Sequence, residues 1–306
     1  MNKQVSGNIA AIAAFVVWGA LPLYWGLLEA VSPFLVLAYR VVFSLLLLSV
    51  ILLFSRWRKE IRRVLSNRKR ALTSLAASLL VFSNWALFIW GLDQGLHIEV
   101  SFGYYLSPLV TVALGALVLK EKMKGATIAA FVLAMGAVAY LLISSGSFPW
   151  YALALAVTFA VYGLVKKKVE TDAYTGLFLE TVFSAPLAVG IMIYFAFNGG
   201  IVFGQQWGTS LLLVGCGLMT TTPLILYSAA AQRIPLSSLG FFQYLSPSIT
   251  LLVGVFVYGK HIPQHEMIGF ITIWIALIIY SAGAVFRIRK SRAAARMEQS
   301  ESTSVS

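Results

Sequence analysis

The sequence predicts an all-α integral membrane protein with ten transmembrane helices, and three observations support this fold class. Hydrophobic residues make up 59% of the 306-residue chain, whereas charged residues make up only 11%. The mean hydropathy is +0.86. A soluble domain carries roughly a quarter charged residues because its surface faces water, so most of this surface must face lipid. Ten apolar runs of about 20 residues, the length that crosses a bilayer, leave room only for short loops.

The apolar runs define the predicted spans. They are residues 8–28, 33–54, 71–92, 99–119, 126–145, 149–165, 174–197, 207–230, 237–258 and 266–286. The first run is longer than the apolar core of a signal peptide, and no clear small-residue cleavage site follows it, so we interpret it as a retained span. The single cysteine, Cys216, lies within an apolar run, where a buried thiol is the expected state.

The basic residues predict the orientation. If the N-terminus is cytoplasmic, all but two of the 23 lysines and arginines fall on the cytoplasmic side. The exceptions are Arg40, within a span, and Lys260, in an outer loop. Because cytoplasmic loops are enriched in Lys and Arg, we expect both termini in the cytoplasm, and the membrane to be the bacterial cytoplasmic membrane. The clusters lie between apolar runs rather than on one basic face, so they suit membrane lipids and not nucleic acid.

An internal repeat relates the two halves of the chain. The sequence Tyr-Leu-Ser-Pro at 105–108 recurs at 244–247, 139 residues later, and a threonine, a glycine and a valine further along match at the same offset. Five spans per half is an odd number, so the second half must enter the bilayer inverted. Inverted repeats are typical of secondary transporters, with the ligand site near the midplane between the repeats.

This repeat sets the predicted domain organisation. We expect a first five-helix repeat over residues 1–145 and a second, inverted repeat over residues 146–288. Residues 289–306 form a basic and polar tail, for which we expect a disordered cytoplasmic segment.

Motif residues occur in order along nearly the whole chain. They include Trp18-Gly19, Pro22-Leu23-Tyr24-Trp25, Arg40, the segment 84–90, Gly103-Tyr104 with Pro108, the segment 159–165 with its lysine triplet, Glu180-Thr181 and the segment 239–244. With these residues the chain resembles the EamA group of the drug/metabolite transporter superfamily, in its RarD-type (chloramphenicol-sensitive protein) branch. The resemblance implies a ten-helix, exporter-like fold of two inverted EamA repeats. It does not define the natural substrate.

Two charged residues within spans are the sharpest candidates for function. Arg40 lies about 10 Å deep in the second span at 1.5 Å per residue, and an intramembrane charge should face a cavity or a partner rather than lipid. We favour binding of an anionic or carboxylate-bearing substrate, because a guanidinium matches carboxylate geometry; a snorkelling or carbonyl-capping arginine is the alternative. Glu180 is its repeat counterpart at an offset of 140. We interpret it as the proton-coupling residue, the alternative being a carboxylate satisfied by hydroxyls, by helix ends or by balancing Arg40.

Polar and aromatic residues near the repeated prolines complete the predicted substrate site. The further candidates are Trp18, Asn84, Trp85, Tyr104, Tyr105, Tyr162, Gln243 and Tyr244. Pro108 and Pro247 are candidate helix breaks, because irregular backbone in a membrane is tolerated where it lines a cavity. For any one of the aromatic residues, core packing or a position in the interfacial belt is the alternative.

The sequence therefore favours a secondary-active exporter of a small amphipathic metabolite or drug, working by alternating access with protons as the candidate coupling ion. A passive channel or a non-transporting membrane partner is the alternative, and an intramembrane enzyme is less favoured because all three histidines fall in outer loops. His261 and His265 have helical metal spacing, but Pro263 separates them, so we expect no metal and no cofactor.

Overall fold

The computed structural model describes residues 3–53, 57–145, 150–259 and 261–304, and twelve α-helices lie within them. The helices are α1 (Lys3–Gly26), α2 (Pro33–Leu53), α3 (Trp57–Leu65), α4 (Arg68–Asp93), α5 (His97–Leu117), α6 (Ala126–Ser145), α7 (Trp150–Lys168), α8 (Ala173–Phe197), α9 (Trp207–Arg233), α10 (Leu236–Gln243), α11 (Leu245–Phe256) and α12 (Gln264–Ser304). Ten spans among these residues are long and apolar enough to cross a membrane, with α10 and α11 together forming the ninth. The predicted fold class is confirmed.

The ninth span is interrupted next to Pro247, whereas the fourth is not interrupted at Pro108. α10 ends at Gln243 and α11 begins at Leu245, so Pro247 is the third residue of α11. Proline is tolerated there because the first turn of a helix needs no amide donor. α5 instead continues through Pro108, which is buried in a helix that packs against α7 and α10. The predicted break at Pro108 is therefore wrong, because packing with neighbouring helices allows a membrane helix to contain proline.

Glu121 caps the N-terminus of α10 from the segment that follows α5. Its Oε1 accepts a hydrogen bond from the amide of Leu236 at 2.7 Å. Its Oε2 accepts from the amide of Ser237 at 2.9 Å and from the hydroxyl of Ser237 at 2.7 Å. The preceding residue, Pro235, has no side chain that can cap. A carboxylate at this position satisfies free helix amides and complements the positive end of the helix dipole, so the first repeat holds the start of α10.

Contacts within the larger of two compact units, residues 1–121 and 148–261, follow the repeat. α1 packs against α9, α10 and α11, and its counterpart α7 packs against α4 and α5. α2 packs against α9 just as its counterpart α8 packs against α4. Each of these contacts joins one half of the sequence to the other. The packing is thus the one expected of two related halves.

The smaller unit, residues 122–147 and 262–306, contains the last span of each half. In it α6 packs against α12. Ala130 and Ala134 of α6 are fully buried, and a Cβ at Gly269 of α12 would lie 2.8 Å from a methyl carbon of Leu141. Small residues let two membrane helices approach closely, which accounts for alanine and glycine at these positions.

The C-terminal segment differs from the expectation of a disordered tail. α12 continues to Ser304, so residues 289–304 are helical. The segment contains the run Arg-Ala-Ala-Ala-Arg-Met-Glu-Gln at 292–299. These residue types have high intrinsic helix propensity, which favours continuation of the last transmembrane helix.

The orientation of the chain remains a prediction from its charges. Arg56 and Lys260, two of the basic residues used to predict it, lie outside the described residues. The side chain of His265, considered for its metal spacing, also lies outside them. We expect reporter fusions after Arg70, Lys124, Lys168, Arg233 and Arg296 to report a cytoplasmic location, because cytoplasmic loops hold most of the basic residues. A fusion reproducibly found outside would contradict the orientation.

Candidate functional site

Arg40 and Glu180 occupy the same position in equivalent helices. α2 begins at Pro33 and α8 begins at Ala173, so each charged residue is the eighth of its helix. At 1.5 Å per residue, each lies about 10 Å from the start of its helix. Five spans separate the two helix starts, so these starts belong to opposite sides of the membrane. The repeat therefore places an arginine in one half of the membrane and a glutamate in the other.

The guanidinium of Arg40 lies between two indole rings. Its central carbon is 4.4 Å from the ring centroid of Trp85 and 4.9 Å from that of Trp25. Cation–π contacts of this kind contribute about 0.5–2 kcal/mol, most where water is excluded. They hold the flat face of the guanidinium without using its N–H donors. We call Arg40, Trp25, Trp85 and their immediate neighbours the Arg40 site.

The hydrogen bonds of Arg40 leave one edge of the guanidinium available. Its Nε donates to Thr220 Oγ1 of α9 at 3.0 Å. Among the described residues no carboxylate pairs with Arg40, and its two terminal nitrogens make no hydrogen bond. Because these two N–H groups form the fork that binds carboxylates bidentately, the arginine is oriented by the protein but keeps its anion-binding edge.

Tyr104 is a neighbour of the Arg40 site. Its side chain is 47% exposed, its ring contacts that of Phe88 at a centroid distance of 5.7 Å, and it is close enough to Arg40 to interact with it electrostatically. Of the substrate-binding residues predicted from the sequence, the structure brings together Arg40, Trp85 and Tyr104. Trp25, which the sequence did not identify as a partner of Arg40, completes the group.

Glu180 forms a buried ion pair with Lys166, and this corrects the assignment of Lys166 to a cytoplasmic loop. Lys166 Nζ lies 2.6 Å from Glu180 Oε1, and the two side chains are 0% and 3% exposed. Tyr162 donates to Glu180 Oε2 at 3.0 Å. Lys166 and Tyr162 are four residues apart on α7 and therefore share one helix face. Lys166 on α7 balances the charge of Glu180. Glu180 is therefore not the counter-charge of Arg40. Glu180, Lys166 and Tyr162 form the Glu180 site.

The backbone at Glu180 is also fixed. Its carbonyl oxygen accepts hydrogen bonds from Ser78 of α4 at 2.7 Å and from Ser184 at 2.9 Å. The Ser78 bond joins the two halves of the sequence. These bonds fix the backbone at Glu180, whereas the ion pair with Lys166 and the hydroxyl of Tyr162 compensate the carboxylate for its lost hydration.

An aromatic stack covers the Glu180 site. Tyr162 and Tyr227 lie almost parallel, with 10° between their planes and 5.8 Å between their centroids, and both are fully buried. Tyr227 also contacts the rings of Trp18 and Phe159. Glycine at position 163 leaves room for this stack, since a Cβ there would collide with the hydroxyl oxygen of Tyr227. Tyr162 and Trp18, both predicted to bind substrate, thus lie in a packed aromatic layer.

The other predicted site residues connect helices. Asn84 donates to the carbonyl of Leu155 and to the hydroxyl of Thr158, both at 2.9 Å, joining α4 to α7. Gln243 donates to Ser107 at 2.6 Å and accepts from Thr111 at 3.2 Å, joining α10 to α5. The hydroxyl of Tyr244 donates to the carbonyl of Tyr105 at 3.3 Å. The four residues predicted beside the prolines therefore differ in their surroundings. Tyr104 is exposed near Arg40, whereas Tyr105, Gln243 and Tyr244 are buried.

Metal binding has no support in the part of the chain that the structure describes. No group of three or more His, Cys, Asp or Glu side chains lies close enough there to hold a metal ion. The charged groups within the spans are instead an oriented arginine and a lysine–glutamate pair.

Ten apolar helices in two inverted halves define a multi-pass membrane protein. The model of the EamA-like transporter family matches the chain twice, at residues 5–143 and 148–282. An uncharacterized transporter of Vibrio cholerae is 42% identical over 90% of this chain and 91% of its own length. Protein RarD of Streptomyces exfoliatus is 38% identical over 95% of this chain and 93% of its own length. Protein RarD of Escherichia coli is 34% identical over 93% and 97%, respectively.

A solved crystal structure supports the same fold. It superimposes with a TM-score of 0.66 over 90% of this chain and 97% of its own length, at 17% sequence identity. The chain belongs to the EamA-like transporter family and is of the RarD type. It is therefore a membrane transporter with a small-molecule substrate, and the resemblance seen in the sequence is confirmed.

Proposed function

We propose that the protein is a secondary-active exporter of a small amphipathic anion, embedded in the bacterial cytoplasmic membrane and working by alternating access. The observation that carries this proposal is the Arg40 site. An arginine held between Trp25 and Trp85, with its anion-binding edge available, offers a charged anchor beside flat apolar surfaces. Such a combination fits a carboxylate attached to an aromatic or aliphatic body.

The contrast between the two ends of the larger unit supports a state open toward Arg40. Around Glu180 the side chains of Lys166, Tyr162 and Tyr227 are fully buried, and so is Leu236 at the start of α10. At the Arg40 site, by contrast, Arg40 itself is only partly buried. With both termini in the cytoplasm, this corresponds to an outward-facing state in which the cytoplasmic half is closed.

Glu180 is the proposed proton carrier, acting together with Lys166. Protonation of Glu180 would leave the buried Lys166 with an unbalanced charge, which is costly in a site of low polarity. Proton uptake therefore requires that water or an anion reach Lys166 at the same time. Opening of the cytoplasmic half would supply this access, so proton occupancy and conformation are linked.

A double substitution tests this coupling. In Lys166→Met/Glu180→Gln both charges are removed while the side-chain sizes are kept, so the fold should be retained. A screen of carboxylate metabolites and drugs for thermal stabilisation of the purified protein supplies the substrate. In proteoliposomes we expect the double variant to exchange labelled substrate near the normal rate but to lose accumulation driven by a pH gradient. Accumulation as strong as that of the unmodified protein would contradict a role of Glu180 in coupling.

A further inference from the structure

A groove on the surface of the larger unit lies where α4 enters the membrane. It has a volume of about 580 Å³ and is lined by Arg68, Lys69, Leu72, Thr73, Ala76 and Val165. The first five come from the first nine residues of α4, and Val165 comes from the end of α7. Nothing in the transport cycle described above uses this groove.

The groove is basic at one end and apolar along its length. Arg68 and Lys69 begin α4, and the apolar run of the third span starts directly after Arg70. Leu72 is 54% exposed, so the groove wall presents hydrocarbon to the surroundings. Basic side chains at the end of a span extend to the level of the lipid headgroups, and the apolar wall then runs alongside the acyl chains.

Arg68 and Lys69 are available to a ligand, whereas the neighbouring Arg70 is paired. Arg70 forms a salt bridge with Glu170, with 2.7 Å between Nη2 and Oε2. Within the described ranges no carboxylate pairs with Arg68 or Lys69. The adjoining helix α3 adds the exposed Arg62, whereas Arg63 is paired with Glu60 at 3.5 Å. The end of the groove at the start of α4 is therefore positively charged.

A second feature places α3 at the membrane surface. The ring of Trp57 stacks on that of Tyr174 with 5.0 Å between centroids and 15° between planes. Trp and Tyr are enriched where membrane meets water. In α3, Val64 is fully buried whereas Lys59, Arg62 and Arg63 are exposed. This amphipathic arrangement is typical of a helix that lies in the interface.

We propose that this groove is a binding site for an anionic phospholipid of the cytoplasmic leaflet. The phosphate binds at Arg68 and Lys69, and an acyl chain lies along Leu72, Ala76 and Val165. Charge complementarity favours an anionic over a zwitterionic headgroup, and basic pockets between helices on the cytoplasmic side are known to suit such lipids. The volume and the apolar wall favour a lipid over a soluble anion.

Native mass spectrometry of the detergent-solubilised full chain tests the site, with phosphatidylglycerol and phosphatidylcholine of identical acyl chains as probes. We expect phosphatidylglycerol to bind more tightly to the unmodified protein. Arg68→Gln/Lys69→Gln should weaken its binding roughly thirtyfold, since each basic residue near a membrane surface contributes on the order of fivefold. The matched control Lys122→Gln/Lys124→Gln removes the same charge from two other exposed lysines on the same predicted side. It should change binding less than twofold.

A third variant tests the acyl-chain part. Ala76→Phe fills the groove and should lower the binding of both lipids about equally, whereas Ala129→Phe, at an exposed alanine of α6, should lower neither. Equal losses in the two charge variants would overturn the proposal in favour of general charge attraction. Unchanged binding in Arg68→Gln/Lys69→Gln would also overturn it. A concentration-dependent dimer that Ala76→Phe disrupts, without lipid selectivity, would show that a second copy covers the groove. Thermal unfolding of each variant confirms that the chain is folded.

Discussion

Lys166→Met should destabilise the protein by about 3–5 kcal/mol, the largest effect that we expect from a single substitution. Removing one partner of a buried ion pair leaves the other charge uncompensated. Among the described residues, Glu180 would then retain only the hydroxyl of Tyr162 as a partner for its carboxylate. The loss should be measured as a lower midpoint of unfolding in detergent and as reduced yield of folded protein.

The double variant Lys166→Met/Glu180→Gln separates charge from packing. Replacing both members of a buried pair with neutral residues of similar size is often neutral or stabilising, so most of the lost stability should return. Lys168→Met is the matched control, because Lys168 is exposed and the same substitution there should change stability by less than about 0.5 kcal/mol. A single Lys166→Met variant as stable as the control would show that the ion pair contributes nothing to the fold.

Much of the fold was predictable because the bilayer imposes a length and a composition on each span that are visible in the sequence. A span must be apolar for about 20 residues and its backbone must bond internally, so the ten runs identified the ten helices. The boundaries moved by a few residues, as at α1, which begins at Lys3 rather than at residue 8. The odd number of spans per half then required inversion, and the symmetric packing of α1 and α7 agrees with it.

Lys166 shows why the candidate site was harder to predict. A lysine in a run of three at the end of an apolar segment is normally a loop residue. The prediction of orientation therefore counted Lys166 as part of a cytoplasmic loop. A useful signal was present: Lys166 and Tyr162 are one helical turn apart, on the helix that precedes an intramembrane glutamate. A carboxylate within a span usually pairs with a cation, and the lysine triplet 166–168 is the nearest basic group in sequence. Periodicity on α7 would have identified the pair.

The aromatic residues could not be sorted from sequence alone. Trp18, Trp85, Tyr104 and Tyr162 are all polar-edged aromatics within spans, and a residue of this type serves equally in a core or beside a ligand. Their roles depend on neighbours contributed by the other half of the chain. Tyr162 is buried against Tyr227 of α9, whereas Tyr104 is about half exposed near Arg40. Only tertiary geometry distinguishes the two cases.

Arg40→Lys should abolish most transport while leaving the fold intact. We expect binding of a carboxylate substrate to weaken roughly tenfold to a hundredfold, because hydrogen bonds to charged groups contribute about 1.5–3 kcal/mol. Lysine keeps the positive charge but loses the planar fork that carries two parallel bonds to one carboxylate. It also loses the flat face that contacts Trp25 and Trp85. Arg40→Ala should be at least as severe.

Substitutions around Arg40 distinguish substrate binding from a structural role. Thr220→Ala removes the hydrogen bond to Nε but leaves the terminal nitrogens and both indole rings in place, so it should weaken binding less than Arg40→Lys. Proteoliposome counterflow with a carboxylate and with its neutral amide gives the decisive comparison. If Arg40 binds the carboxylate, Arg40→Lys should lower counterflow of the acid far more than that of the amide. If Arg40 only holds α2 against α9, both ligands should be affected equally. Normal counterflow of the acid in Arg40→Lys would show that a positive charge alone suffices and that the bidentate arrangement has no role.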